Sequence, residues 1–287
     1  MKTAVDCMPC FIAQALKAGR IATNKKDLHK KILVEVARSM IVHDMDVPPP
    51  VMGKRVQDIV KKISGQKDPY KNLKKAYNNF ALKLYPEVKA RVKKSKDRLL
   101  AAVRAAIAGN IIDFGVNGHF DMKKELNEAF AAKSAVFDTA EFKQAVKKAK
   151  NILYLADNAG ETVFDRVLIE EIRAVNNCNI VYAVKEKPVI NDAMLEDAKF
   201  SGLDKCAKII SSGSALPGIM PGKGTKQFLK LYKNADVIIS KGQGNYELLR
   251  EEKKPIFFLL KVKCDVISED LSLPMGNIVL KYALKSK

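Results

Sequence analysis

The chain contains no tryptophan and only three histidines among 287 residues. With so few imidazoles, a metal centre or an acid–base pair built mainly on histidine has little to draw on. Cysteine is scarce too, five in all and an odd number, which excludes a disulfide-stapled scaffold and favours reduced thiols. No apolar run approaches the roughly 20 residues that cross a bilayer. The opening MKTAVDCMPCFIAQAL is broken by Asp6 and Pro9, so it lacks the clean apolar core of a secretion signal. These absences point to a cytoplasmic protein with no membrane partner. Acidic side chains are also in deficit, 32 against 51 Lys and Arg, for a net charge of +19.

What is present suits a folded protein. Hydrophobic residues make up 47% and charged residues 29%, which excludes a disordered or collagen-like chain. The length allows two domains. The charge is lopsided: residues 1–150 carry 31 basic and 15 acidic side chains, residues 151–287 carry 20 and 17. A nucleic-acid-binding first half is one reading of that excess. Yet the densest run, residues 83–98 (KLYPEVKARVKKSKDR), spaces its bases as a helix does and lacks interleaved aromatics. Solvated helix faces are the better reading, and nucleic acid is the alternative partner.

Residues 1–150 read as helical. Leu28, Ile32, Leu33 and Val36 share one helix face, and residues 97–109 (DRLLAAVRAAIAG) are the strongest helix former in the chain. Breakers fall at Pro48-Pro49-Pro50, read as a stiff connection, at Gly65, at Asp68-Pro69 and between Gly115 and Gly118. From about residue 151 short aliphatic runs alternate with amphipathic stretches. The runs cover residues 152–155, 179–184, 207–210, 237–239 and 256–260, as in a parallel sheet covered on both faces. The expected fold is α/β: a Rossmann-like, mostly parallel sheet flanked by helices in 151–287, preceded by an all-helical domain in 1–150.

Open α/β sheets place their sites beyond the carboxyl ends of the strands, so the residues after each run are the ones to search. Asp157 and Asn158 follow the first run and Asp192 the second. All three are hard oxygen donors suited to Mg²⁺ or Mn²⁺, but each is also a good turn or N-cap residue. Asn191 or Asp192 would then start a helix over 193–199. Ser214 lies in the Gly- and Ser-rich stretch after the third run. Lys241 ends the fourth and is followed by Gly242 and Gly244, a setting in which an ammonium can neutralise a phosphoryl group. Neither GxxxxGK[ST] nor GxGxxG is present. In the helical half, Asn110 and Asp113 are three apart amid Ile107, Ile111, Ile112 and Phe114. They are either a polar pair with a purpose or a helix C-terminus.

Taken together, GNIID, ADNAGETVFD, VINDA and SKGQGNYE, with Cys7-Met8-Pro9-Cys10 in front, resemble the damage-control phosphatases, nearest the CxxC/GNxxD branch of archaea and bacteria. The resemblance spans nearly the whole chain. It implies metal-dependent hydrolysis of small phosphorylated metabolites with Mn²⁺, Co²⁺, Ni²⁺ or Mg²⁺. It implies metal ligation by Asp157, Asn158 and Asp192 and phosphate contact by Lys241. Asn110, Gly242 and Ser214 would line the substrate pocket, and Asp113 or Glu161 would act as base for the attacking water. One departure is the loop GSALPGIM, which lacks the aspartate of relatives that read GSDAPGT. A methyltransferase role, also suggested for the family, is disfavoured because no clear glycine-rich cofactor loop follows the first run.

Cys7 and Cys10 stand apart from Cys178 and Cys206, which look like apolar filler. With Cys264 they form either a structural thiol cluster or a site for a second, soft metal; a closed zinc site would need a fourth ligand.

Overall fold

The computed structural model describes residues 1–109, 127–128, 130–131, 136–220 and 222–285. Five helices come first: α1 (Cys7–Ala22), α2 (Lys26–Ile41), α3 (Pro49–Ser64), α4 (Lys71–Lys94) and α5 (Arg98–Gly109). After α6 (Thr139–Lys148) the chain alternates: β1 (Asn151–Leu155), α7 (Glu161–Val175), β2 (Asn179–Val184), α8 (Leu195–Phe200), β3 (Lys208–Ser211), α9 (Lys226–Asn234) and β4 (Val237–Lys241). It closes with α10 (Gln243–Leu249), β5 (Ile256–Lys261), α11 (Asp265–Leu271) and β6 (Ile278–Tyr282).

The strands form one sheet in the order β3-β2-β1-β4-β5-β6. The first five are parallel, and β6 runs antiparallel to β5. The α/β expectation holds, and all five runs read from the sequence are strands. The sixth strand was not among them, because a short apolar run such as Ile278-Val279-Leu280 has no periodicity to separate strand from helix. Its pairing with β5 makes it a strand, and Tyr282 stacks on Phe257 at 4.5 Å. Strand order reverses between β1 and β4, the switch point at which such sheets open a crevice.

Alternation along the strands feeds two cores. Tyr154, Tyr182, Ile239 and Phe257 pack under α4, α5, α6 and α7, whereas Leu153, Val181, Ile238 and Phe258 pack under α9, α10 and α11. Helices α4 to α6 thus share a core with the sheet. A third core, Phe11, Ala15, Ile32, Val36, Met52, Val56 and Val60, belongs to α1, α2 and α3, and α3 packs on α10.

Two local differences from the sequence expectations stand out. The triple proline does not form a connection: Pro49 and Pro50 open α3, where the first turn needs no N–H from them. The helix expected at 193–199 starts two residues later, capped by Met194. Pro86 lies inside α4. The basic faces are partly spent on ion pairs, Lys89 with Glu170 at 2.6 Å and Arg98 with Glu171 at 2.8 Å. Among the described residues no helix is long and apolar enough to cross a membrane.

Candidate active site

Backbone hydrogen bonds join the segments that follow β1 and β2. The Ala193 N–H donates to the Asp157 carbonyl at 2.8 Å and the Ala159 N–H to the Asn191 carbonyl at 2.9 Å. Asn158 and Asp192 thereby face each other as an isolated antiparallel bridge. Three side chains up to 35 residues apart in sequence are thus held in one patch at the rim of the sheet. None of them caps a helix, since α7 is capped by Gly160 and α8 by Met194. The helix-cap role open to these residues is thus filled by others, although Asp192 closes a turn by donating its N–H to the Val189 carbonyl at 3.1 Å.

The Asn158 amide has a defined orientation. Its Nδ2 donates to Asp157 Oδ2 at 3.0 Å and to Glu161 Oε1 at 2.8 Å. Two carboxylates therefore claim the nitrogen, and Oδ1 is the acceptor end of this amide. Glu161, the first residue of α7, is fully buried, and its other oxygen accepts from Lys241 Nζ at 2.7 Å.

The Asp157 carboxylate rests directly on Gly242. A Cβ there would come within 1.9 Å of Asp157 Oδ2, and Gly242 adopts φ +81°, which favours glycine. Burial, then the Glu161 and Asp192 charges, push Asp157 up to about 8. Burial lifts Asp192 to about 6 against the pull of Lys185. Carboxylates crowded with too little countercharge are what a cation relieves.

Lys241 lies on the other side of the pleat. Leu155 pairs with Ser240, so Lys241 turns toward the α7 face, where its Nζ donates to Glu161 and, at 2.6 Å, to Asp165 Oδ1. Asp165 also accepts from the Tyr154 and Tyr182 hydroxyls, both at 2.7 Å. Burial opposes the charge on Lys241, but the two carboxylates outweigh it and its pKa lies above the ordinary lysine value. Burial pushes Asp165 up while Lys241 holds it back.

The other expected residues distribute unevenly. Ser214 uses its hydroxyl within its own loop, donating to the Gly218 carbonyl at 2.7 Å and accepting from the Leu216 N–H at 3.2 Å. The Gly242 N–H donates to the Leu259 carbonyl, so the visible service of Gly242 is room for Asp157. Asn110 and Asp113 lie outside the described residues. Cys7, Cys10 and Cys264 line one cavity of about 310 Å³ with Phe11, Ile190 and Gln243, and Gln243 Nε2 reaches Cys264 Sγ at 3.2 Å. Among the described residues, no three His, Cys, Asp or Glu side chains are grouped as a metal cage; the patch after β1 and β2 offers two carboxylates and one amide.

Several contributors escaped the sequence reading. Asp165 stands four residues after Glu161 on α7, a spacing that shares a helix face. Asn78 accepts from the Gly160 N–H and donates to Asp197, both at 2.6 Å, so α4 pins the start of α7. Asn245 ties Ala156, Lys241 and Ile219 together. Asn245 lies within SKGQGNYE but its structural role there is not written in the motif, and no local pattern marks Asn78, because the partners of both are remote.

The fold and this crevice define a doubly wound α/β protein whose polar groups gather beyond the carboxyl ends of parallel strands. Comparison with known proteins then fixes the family: residues 3–279 match the damage-control phosphatase ARMT1-like domain. A damage-control phosphatase of Pyrococcus horikoshii is 35% identical over 282 residues, covering 97% of both chains. One of Archaeoglobus fulgidus is 31% identical, covering 98% of this chain and 99% of that one. The crystal structure of a DUF89 family protein from P. horikoshii superposes with a TM-score of 0.90 at 35% identity and 99% coverage of each chain. The chain belongs to the damage-control phosphatase family, and its relatives support a phosphatase role.

Proposed function

We propose that the protein is a metal-dependent phosphatase acting on small phosphorylated metabolites, with one divalent cation held by Asp157, Asn158 and Asp192. The bridge between Asn158 and Asp192 is the observation that carries this reading, since it assembles the donor set. The donors also fit the group. Asp192 Oδ2 is buried without a hydrogen-bond partner, and the Asn158 amide nitrogen is already committed. Hard oxygens suit Mn²⁺, Mg²⁺, Co²⁺ or Ni²⁺. When bound, such a cation polarises a phosphoryl group and acidifies a coordinated water.

The chain's own residues do the rest. Glu161 holds Asn158 in its orientation and shares Lys241 with Asp165, so both of its oxygens are engaged. Asp113, expected from the resemblance as an alternative base, falls outside the described residues. A buried ammonium at the rim stabilises charge on the transferring oxygens, which is the main electrostatic demand of phosphoryl transfer.

A panel of sugar phosphates, nucleotides and p-nitrophenyl phosphate, assayed with and without each cation, tests the reading. Metal-stimulated phosphate release, lost in Asp157→Ala, is the expected result. No release across the panel, or full activity in that variant, would overturn it.

A further inference from the structure

Lys185, the first residue after β2, is 1% exposed, and its Nζ has no hydrogen-bond partner. Its nearest acidic neighbour is its ion-pair partner Asp192 Oδ2 at 3.4 Å, an oxygen that likewise has no closer polar contact. A buried ammonium or carboxylate oxygen left without hydrogen bonds is costly, and here one of each faces the other beyond the end of β2.

The sheet register separates this lysine from Lys241. Leu155 pairs with Ala183, so Asp157 and Lys185 each follow by two residues and project from the same side of the pleat. Lys241 projects from the other side, where Glu161 and Asp165 occupy it at 2.7 and 2.6 Å. Its charge is matched twice over before any ligand arrives. Lys185 has one carboxylate, at the longer distance of 3.4 Å, and donors to spare.

We propose that Lys185, rather than Lys241, is the residue that grips the phosphoryl oxygens of the substrate. The assignment rests on the metal-dependent reading above: a cation held by Asp192 supplies that carboxylate with the countercharge Lys185 now gives it, and the ammonium turns its N–H groups to the phosphate. The lysine acts as a hydrogen-bond donor. Lys241 is then a positioning residue, acting through Glu161 on Asn158.

The test uses inorganic phosphate as ligand and Mn²⁺ as metal, each titrated calorimetrically into the full-length protein. In Lys185→Gln, phosphate binding to the Mn²⁺-loaded protein should weaken about 10- to 100-fold, the size of one charge-assisted hydrogen bond. Mn²⁺ affinity measured without phosphate should stay the same or tighten, since a competing cation is gone. Lys185→Arg, which keeps the charge, should recover part of the phosphate affinity and serves as the probe if the glutamine variant does not fold. Unchanged phosphate affinity in both variants would overturn the assignment. So would a parallel loss of Mn²⁺ affinity, which would make Lys185 a structural partner of Asp192. Metal-independent phosphate binding that Lys185→Gln abolishes would sink the metal reading yet leave the lysine in place, so the two failures are distinguishable.

Discussion

Replacing Lys241 by methionine removes the shared cation from a closed set of buried groups. Glu161 Oε2 and Asp165 Oδ1 lie 2.7 and 2.6 Å from its Nζ, with all three side chains at most 1% exposed. Methionine keeps the volume and takes the shared ammonium away from both carboxylates. Breaking a buried ion pair from one side costs about 3–5 kcal/mol, and here two acids lose the same partner. The cost should depend on pH. Asp165 already has a raised pKa, from burial, and losing Lys241 raises it further. A carboxyl whose folded pKa is raised contributes stability below its unfolded pKa and loses it as pH rises through the folded value. The deficit of Lys241→Met should therefore be smallest in acid, below the ordinary aspartate range, and grow as pH rises through the raised pKa of Asp165. Urea denaturation followed by circular dichroism at several pH values measures it, and adding Asp165→Asn should restore part of the loss. A deficit below about 1 kcal/mol, or one independent of pH, would refute the account of this network.

Two further outcomes are expected. Gly242→Ala should lose about 1–3 kcal/mol to backbone conformation and, by displacing Asp157, about 100-fold in phosphate release; an alanine variant within threefold of wild type would show that the carboxylate has room to move. Burial raises the Cys7 and Cys10 thiols, so iodoacetamide should label them slowly at neutral pH and faster as pH rises. One equivalent of Cd²⁺ that blocks labelling in the wild type but not in Cys264→Ser would mark a soft-metal site, and labelling unaffected by Cd²⁺ would leave the thiols a packing cluster.

Local chemistry was enough to identify much of this protein. Short aliphatic runs announced the parallel strands, because only a sheet covered on both faces wants them unbroken. The polar residues just beyond those runs marked Asp157, Asn158, Asp192 and Lys241, because that end of the sheet is where a crevice forms. The motif set announced the family. Function within the site was less legible. Lys241 and Lys185 look alike in sequence, each a lysine closing an aliphatic strand, but the register sends one toward Asp165 and the other alongside Asp157. Whether Asp192 capped a helix or faced Asn158 depended on hydrogen bonds between segments more than 30 residues apart. Periodicity and capping are set by neighbours along the chain. Which carboxylate an ammonium meets is set by how strands align and pleat, and only the folded sheet decides that.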